Sequence, residues 1–87
     1  MTLSTRQLNA LKRSDVPDTG NKLSVAIELG GVSQADIVRA TDLSAQYVSD
    51  VVRGRYPNIT LDNAWKFALF FGCDPGDLFP AREAVAS

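Results

Sequence analysis

The strongest constraint on the fold is a pair of helix-start signals at Ser33 and Ser44, eleven residues apart. A serine in this position can accept a hydrogen bond from the free backbone N–H groups of the first helical turn. Each serine also follows one apolar residue and precedes another by four residues, which is the pattern of a hydrophobic staple. The stapled residues are Val32 with Ile37 and Leu43 with Val48. Two short helices in succession are therefore predicted here.

A tight turn and a stop signal complete this unit. Between the two serines there is room for a helix of about two turns, followed by a turn over residues 41–43. Gly54 suits the end of the second helix, because glycine readily adopts the left-handed backbone that closes helices. Two short helices joined by a turn of three or four residues form a helix-turn-helix unit. We therefore predict helices over residues 33–41 and 44–53.

The predicted second helix has two different faces when it is drawn at about 100° per residue. Val48 and Val51 fall on one side, with Val52 at its edge. The opposite arc carries mostly short polar side chains, with Ala45 beside them: Gln46, Ser49, Asp50 and Arg53. Such side chains suit hydrogen bonding to base edges in a DNA major groove. Caps and periodicity alone leave two interpretations open, a DNA-reading surface or the solvated face of a small helical domain.

The same register continues on both sides of this unit. The features that carry it are Leu23, Ala26, Gly31-Val32-Ser33-Gln34, Ile37, Leu43-Ser44, Val48, Val51, Gly54, the helical pattern over 60–71, and Gly72-Cys73-Asp74-Pro75-Gly76-Asp77-Leu78-Phe79. With these features in this order, the chain resembles the phage Cro and repressor family, with its bacterial relatives, over about two thirds of its length. The resemblance implies an all-α, compact, lambda-repressor-like domain of five to six helices with a helix-turn-helix.

The resemblance also implies a function, that of a sequence-specific DNA-binding transcriptional regulator. A repressor that binds a partly palindromic operator on double-stranded DNA as a homodimer is the expected form. With the helix over 44–53 in the major groove, the base-reading residues would be Ala45, Gln46, Ser49 and Asp50. The phosphate-binding residues would be Gln34, Tyr47, Arg53 and Arg55. For Gln34, in the first turn of its helix, plain solvent exposure is the alternative to a phosphate contact.

Several positions depart from the family pattern. Asp42 stands where the family usually has the glycine of the turn, and aspartate tolerates left-handed backbone better than most residues. Val38 replaces a small alanine between the two helices. Ile27 and Val52 replace a basic and an acidic residue that many members pair inside the domain. Because both charges are gone together, we expect Ile27 and Val52 to touch.

Net charge limits how the chain can bind DNA. It has nine Lys and Arg against ten Asp and Glu, a formal net charge of −1. Affinity for nucleic acid rises with each neutralised phosphate, so we expect weak non-specific binding and useful affinity only from a dimer. Hydrophobic residues make up 45% and charged residues 22% of the 87 residues, as in one ordinary globular domain.

Composition also limits the chemistry that the chain can perform. It has no histidine and a single cysteine, Cys73, so we expect no metal site, no cofactor and no enzymatic activity. Cys73 is expected to act as a small buried hydrophobic residue. No apolar run approaches the length of a membrane span, and the start lacks the apolar core of a signal peptide. A cytoplasmic location without a membrane partner is therefore expected.

We expect an N-terminal extension over 1–18, a helix-turn-helix domain over 19–80 and a flexible tail over 81–87. Leu3, Leu8 and Leu11, with a cap at Ser4 or Thr5, predict a short helix in the extension. This helix could follow DNA as a basic arm or, as we favour, lie on the domain or on a partner subunit. The first helix of the family pattern should be capped by Asp18 or Thr19 and run to about residue 29.

The helical pattern over 60–71 predicts a dimer surface. Leu61, Ala64, Trp65, Ala68 and Phe71 recur at helical spacing and should face the core, with Trp65 as a core anchor rather than a ligand platform. Phe70 falls roughly on the side opposite these residues, and a phenylalanine that points outward needs another protein surface to bury it. Leu8 and Leu11 need a surface as well. The predicted homodimer interface therefore comprises Phe70, Leu8 and Leu11.

A protein-interaction module is the alternative function. Antitoxins that neutralise a toxin and bind their own promoter often share the domain that this chain resembles. The acidic balance and the N-terminal extension favour such a protein partner, a toxin or a regulator. The lack of a long toxin-binding tail argues against it.

Overall fold

The computed structural model of the protein describes residues 2–56 and 59–80, and this part of the chain contains six α-helices and no strand. They are α1 (Thr5–Arg13), α2 (Leu23–Gly30), α3 (Gln34–Thr41), α4 (Ala45–Val52), α5 (Leu61–Phe71) and α6 (Pro75–Leu78). The all-α prediction is confirmed. The tail that we expected over 81–87 lies outside the described residues.

Hydroxyl side chains start four of the six helices. Each accepts a hydrogen bond from the backbone N–H three residues later, as an N-cap does. These caps are Ser4 on α1, Ser33 on α3, Ser44 on α4 and Thr60 on α5. The predicted caps at Ser33 and Ser44, and the helices that follow them, are confirmed.

The start of α2 differs from the prediction. Neither Asp18 nor Thr19 caps it, because the helix begins only at Leu23 and its N-cap residue, Lys22, makes no side-chain cap bond. Thr19 instead uses its hydroxyl to donate to the carbonyl of Asn21 in a turn ahead of the helix, at 3.2 Å. The side-chain oxygen of Asn21 accepts the N–H of Leu23 at 2.9 Å and so takes over the role expected of the cap.

One hydrophobic cluster joins all six helices. Its fully buried members include Leu11, Leu23, Ile37, Val48, Val51, Phe67, Phe71 and Leu78. The N-terminal segment belongs to this cluster through Leu3 and Leu11, and the buried Lys22 ammonium donates to the carbonyl of Leu11 at 3.0 Å. Helix α1 therefore packs on the domain, which is one of the two placements that we favoured over a DNA-binding arm.

The inner face of α5 was predicted correctly only in part. Leu61 is 68% exposed and Trp65 is 42% exposed, whereas Phe67 is fully buried. Of the expected inward residues, only the alanines Ala64 and Ala68 and the terminal Phe71 are in the core. Apolar side chains lie on both sides of α5, so helical spacing shows which residues share a side but not which side is covered.

The observed burial of side chains also removes the basis for the predicted dimer interface. Phe70 is 9% exposed and packs edge to face on Phe71, with ring centroids 4.9 Å apart. Leu11 is fully buried and Leu8 is partly buried against the core. These three side chains are covered within one protomer, so the premise that they need a partner's surface is wrong.

Three further side chains, those of Ile27, Val52 and Cys73, lie at the edge of the hydrophobic cluster. Ile27 and Val52 are both partly buried against the hydrophobic cluster, and their mutual contact stays a prediction. Cys73 is half-buried against the same cluster, and burial raises the pKa of its thiol to about 11. None of the helices in the described part of the chain is both long and apolar enough to cross a membrane.

Candidate nucleic-acid interface

The turn between α3 and α4 is built by a buried threonine and a left-handed aspartate. The Thr41 hydroxyl donates to the carbonyl of Ile37 at 2.7 Å and accepts the N–H of Leu43 at 3.3 Å. Asp42 adopts φ 61°, the left-handed conformation expected where the family has glycine. These bonds fix the direction in which α4 leaves the turn.

The two faces of α4 are as the sequence predicts. Val48 and Val51 are fully buried in the hydrophobic cluster. The predicted base-reading set lies together on the outward side, with Ala45 and Gln46 exposed and Ser49 and Asp50 partly exposed. The structure therefore brings these four side chains to one surface, with Arg53 exposed at the end of the helix.

A small polar network connects this surface to the chain beyond α4. Gln46 Nε2 donates to Asp50 Oδ1 at 3.0 Å, and Arg55 Nη1 lies 3.6 Å from the same oxygen. The Asp50 side chain is only 15% exposed, whereas that of Arg55 is 63% exposed. Asp50 thus turns the amide nitrogen of Gln46 toward itself, and its carboxylate partly neutralises the Arg55 guanidinium.

The predicted phosphate-binding residue Tyr47 is held by a second network. Its hydroxyl accepts a hydrogen bond from Nδ2 of Asn63, on α5, at 2.9 Å. Its ring packs against Tyr56 with the centroids 5.0 Å apart. The start of α4 is therefore tied to α5 through a side chain that the sequence analysis did not single out.

Gln34 is partly buried in the first turn of α3, beside an acidic group. The backbone N–H of Ser33 donates to the Asp36 carboxylate at 3.0 Å and holds the pKa of that carboxyl below its usual value. The Ser33 hydroxyl and the Arg39 guanidinium act in the same direction. The negative charge in this turn is thus present at neutral pH and is paired with Arg39.

The far end of α4 is fixed by residues that sequence reasoning missed. The buried Asn21 uses Nδ2 to donate to the carbonyl of Val51 at 2.8 Å, across 30 residues of chain. Gly54 adopts φ 80° against the backbone of Thr19, and a Cβ built on it would lie 2.8 Å from the Thr19 Cα. A glycine after the helix was visible in the sequence, but its close neighbour was not.

No group of three His, Cys, Asp or Glu side chains stands together as a possible metal site in residues 2–56 and 59–80. The candidate interface comprises hydrogen-bonding and charged side chains on α3, α4 and the chain after α4.

A family model for the Cro/C1-type HTH DNA-binding domain matches residues 22–81. The chain belongs to this family. The matched span contains α2 to α6 and leaves α1 outside it. No curated protein and no solved structure matches the chain. Membership in the Cro/C1-type family supports a DNA-binding transcriptional regulator, with α3 and α4 as its helix-turn-helix.

Proposed function

We propose that this Cro/C1-type domain is a sequence-specific transcriptional repressor that acts in the cytoplasm and binds a partly palindromic operator as a homodimer. The observation that carries the proposal is the outward face of α4, where Gln46, Ser49 and Asp50 form one polar surface. Short polar side chains on an exposed helix match the width and the hydrogen-bonding pattern of a major groove. Occupied operator DNA would then be closed to the transcription machinery.

Gln46 is the main base-reading residue in this proposal. A glutamine amide can pair with adenine when its oxygen accepts from the N6 amino group and its nitrogen donates to N7. The nitrogen carries two hydrogens, so Nε2 can keep its bond to Asp50 and still donate to the base. Asp50 would then hold the amide in the orientation that reads adenine, before DNA arrives.

Charges around this surface support specific over non-specific binding. Arg53 and Arg55 are exposed near the end of α4 and can reach phosphates. The Asp50 carboxylate repels phosphates but can accept a hydrogen bond from a cytosine amino group. With a net charge of −1, the protomer gains little from bulk attraction to DNA, so base contacts and a second protomer supply the affinity.

Selection of bound sequences from random duplex DNA tests this proposal. We expect a consensus with two-fold symmetry and half-sites one helical turn apart, roughly 34 Å. Gln46→Ala should cost about 1–3 kcal/mol on the selected site and much less on random DNA. The matched control is Gln34→Ala, since loss of a phosphate contact should weaken both kinds of DNA alike. Equal losses from Gln46→Ala on both would show that Gln46 does not read bases.

An antitoxin-like protein is the second candidate. The acidic balance, with a net charge of −1, and the presence of α1 outside the family span favour a protein partner. A neighbouring reading frame that encodes a small toxin, together with co-purification of its product, would support this candidate. A consensus from the selection experiment without any such partner would reject it.

A further inference from the structure

The outward face of α5 carries a row of exposed apolar side chains. Leu61, Trp65 and Leu69 are 68%, 42% and 71% exposed, and they follow one another at intervals of four residues. Residues at this spacing lie above one another on a helix, here on the side opposite the buried Phe67. We call these three residues the α5 stripe. Contiguous exposed apolar side chains on a small domain mark an interaction surface.

We propose that the α5 stripe is the homodimer interface, formed when α5 packs antiparallel on α5 of a second copy about a two-fold axis near Trp65. This inference rests on the proposed function, because a palindromic operator requires a two-fold symmetric protein. A two-fold interface uses the same patch on both copies. Trp65 then packs near its own symmetry mate, which places the largest apolar side chain at the centre, where interface energy concentrates.

Charge complementarity identifies the second copy as the occupant. Asp62 and Lys66 are both exposed and flank the α5 stripe on the same side. In the antiparallel arrangement, Asp62 of one protomer lies opposite the partner's Lys66, and the symmetry repeats this pair along the same rim. A parallel arrangement would place the two charged flanks on opposite rims, where neither charge meets its counterpart. The chain therefore carries a surface that is complementary to itself.

A groove beside the stripe fits the same arrangement. Ala40, Thr41, Lys66, Leu69 and Phe70 line a groove of about 360 Å³ between α3 and α5. In an antiparallel pair centred on Trp65, the partner's Leu61 lies opposite Leu69. The leucines at both ends of the stripe thus lie opposite a leucine of the partner, while the groove, which Lys66 also lines, lies along the rim where the partner's Asp62 is placed.

The position of α5 connects this interface to DNA binding. The inner side of α5 holds the start of α4 through the bond from Asn63 to the Tyr47 hydroxyl. Pairing of the two α5 helices would therefore set the orientation of one α4 relative to the other. A stable interface of ordinary size buries roughly 800 Å² on each partner. Since the stripe supplies only the apolar centre of such an area, we expect dissociation in the micromolar range.

Trp65 is the single tryptophan of the chain and reports directly on this interface. We expect its fluorescence emission to shift to longer wavelength on dilution from about 100 μM to about 0.1 μM, as the partner's surface is replaced by water. Sedimentation over the same range should show a dimer that dissociates to protomers of 9.4 kDa. The double substitution Leu61→Ser with Leu69→Ser should raise the dissociation constant on the order of 100-fold or more.

The matched control is Val16→Ser, which also removes an exposed apolar side chain, 45% exposed, but lies outside the α5 stripe. This variant should dimerise as the unmodified chain does. Thermal unfolding by circular dichroism confirms that each variant is folded, as expected for substitutions at exposed positions. A dimer that survives the double substitution, or that is weakened equally by Val16→Ser, would overturn the proposal.

Charge reversal tests the antiparallel geometry independently. Asp62→Lys alone and Lys66→Asp alone should each weaken the dimer several-fold, because like charges then meet across the rim. The two reversals combined in one chain should restore the dimer, because each pair again has opposite charges. Failure of the combined variant to recover would overturn the antiparallel arrangement.

The DNA experiment separates this inference from the proposed function. At a protein concentration raised to offset its weaker binding, the Leu61→Ser, Leu69→Ser variant should select a single half-site while losing the two-fold symmetric consensus, which supports both proposals. If the unmodified chain stays monomeric at 100 μM and on its selected DNA, or if the stripe binds only a different protein, the interface proposal fails. Base reading through Gln46 would be unaffected by that result.

Discussion

Helices α4 and α5 begin and end in the same way, but the sides that they expose to solvent differ in polarity. Each begins at a hydroxyl cap, Ser44 or Thr60, and each is followed by a glycine with positive φ, Gly54 or Gly72. Each buries one side in the same cluster. The outward side of α4 is polar, and two of its side chains, Gln46 and Asp50, are hydrogen-bonded to each other. The outward side of α5 is a row of large apolar side chains.

Two helices with the same local construction can therefore suit different partners, because their outward side chains differ. A polar face loses bonds to water when it is covered, so it suits a partner that returns matching hydrogen bonds, as base edges do. An apolar face is stabilised by almost any partner surface that excludes water from it. The specificity of such a face therefore depends on the charged side chains beside it. The bond from Asn63 to the Tyr47 hydroxyl links the two helices to each other.

The largest contrast between the two helices is expected at their C-terminal glycines. A Cβ on Gly54 would press into the backbone of Thr19, whereas one on Gly72 would meet the side chain of Thr2, which can rotate away. We expect Gly54→Ala to cost about 2–5 kcal/mol, from overpacking together with left-handed strain, and Gly72→Ala about 1–2 kcal/mol from strain alone. Urea unfolding measures both.

A third glycine with positive φ serves as a control, because an alanine there would have the backbone strain without a steric clash. Gly31 has φ 64° and open space around the position of a Cβ, so Gly31→Ala should match Gly72→Ala. Similar costs at Gly31 and Gly54 would mean that the Thr19 backbone gives way, and that the end of α4 is not fixed as the structure indicates.

The next effect concerns the polar face of α4. Asp50→Asn keeps the size of the side chain but frees the Arg55 guanidinium from a carboxylate 3.6 Å away. We expect non-specific DNA affinity to rise on the order of ten-fold at low salt. The slope of log affinity against log salt should become steeper by the amount that corresponds to about one more neutralised phosphate. Fluorescence anisotropy across a salt series measures this, and an unchanged slope would contradict it.

A smaller effect is expected where the two helices meet. Tyr47→Phe removes the hydroxyl that accepts from Asn63 Nδ2 and should cost about 0.5–1.5 kcal/mol of stability. Asn63→Ala should cost a similar amount, and the double variant should cost less than the sum of the two. Additive costs in this double-mutant cycle would show that the bond does not couple α4 to α5.

The smallest effect at neutral pH is expected at Cys73, just beyond α5. Burial raises the pKa of its thiol to about 11 from an ordinary value of 9.0, with smaller contributions from Asp77 and Asp74. The folded protein should therefore hold on the order of 100-fold less thiolate than the unfolded chain at pH 7, and iodoacetamide should react correspondingly slowly.

The sign of the linked stability effect follows from the same shift. Between pH 9 and 11 the unfolded chain loses the thiol proton while the folded protein keeps it, so stability falls as pH rises through this window. The variant Cys73→Ala should lack this fall. An equal loss of stability in both proteins would contradict the raised pKa.

Local sequence determined the helix-turn-helix and the composition of its outward face. A cap such as Ser33 or Ser44 bonds to an N–H only three residues away, and Gly54 needs only its own backbone to adopt a positive φ. Such interactions depend on neighbours in the chain, so they can be identified without knowing what packs on the helix. The two faces of α4 differ in polarity, which made its orientation predictable too.

Tertiary structure alone decided which side of α5 is buried and what holds α4 in place. Both sides of α5 are apolar, and the core accepted Phe67 and Phe70 while leaving Trp65 in solvent. The bond from Asn21 to Val51 spans 30 residues and has no local signature. Periodicity gives the angle between side chains on one helix, but the choice between two apolar faces depends on the shape that the other helices leave open.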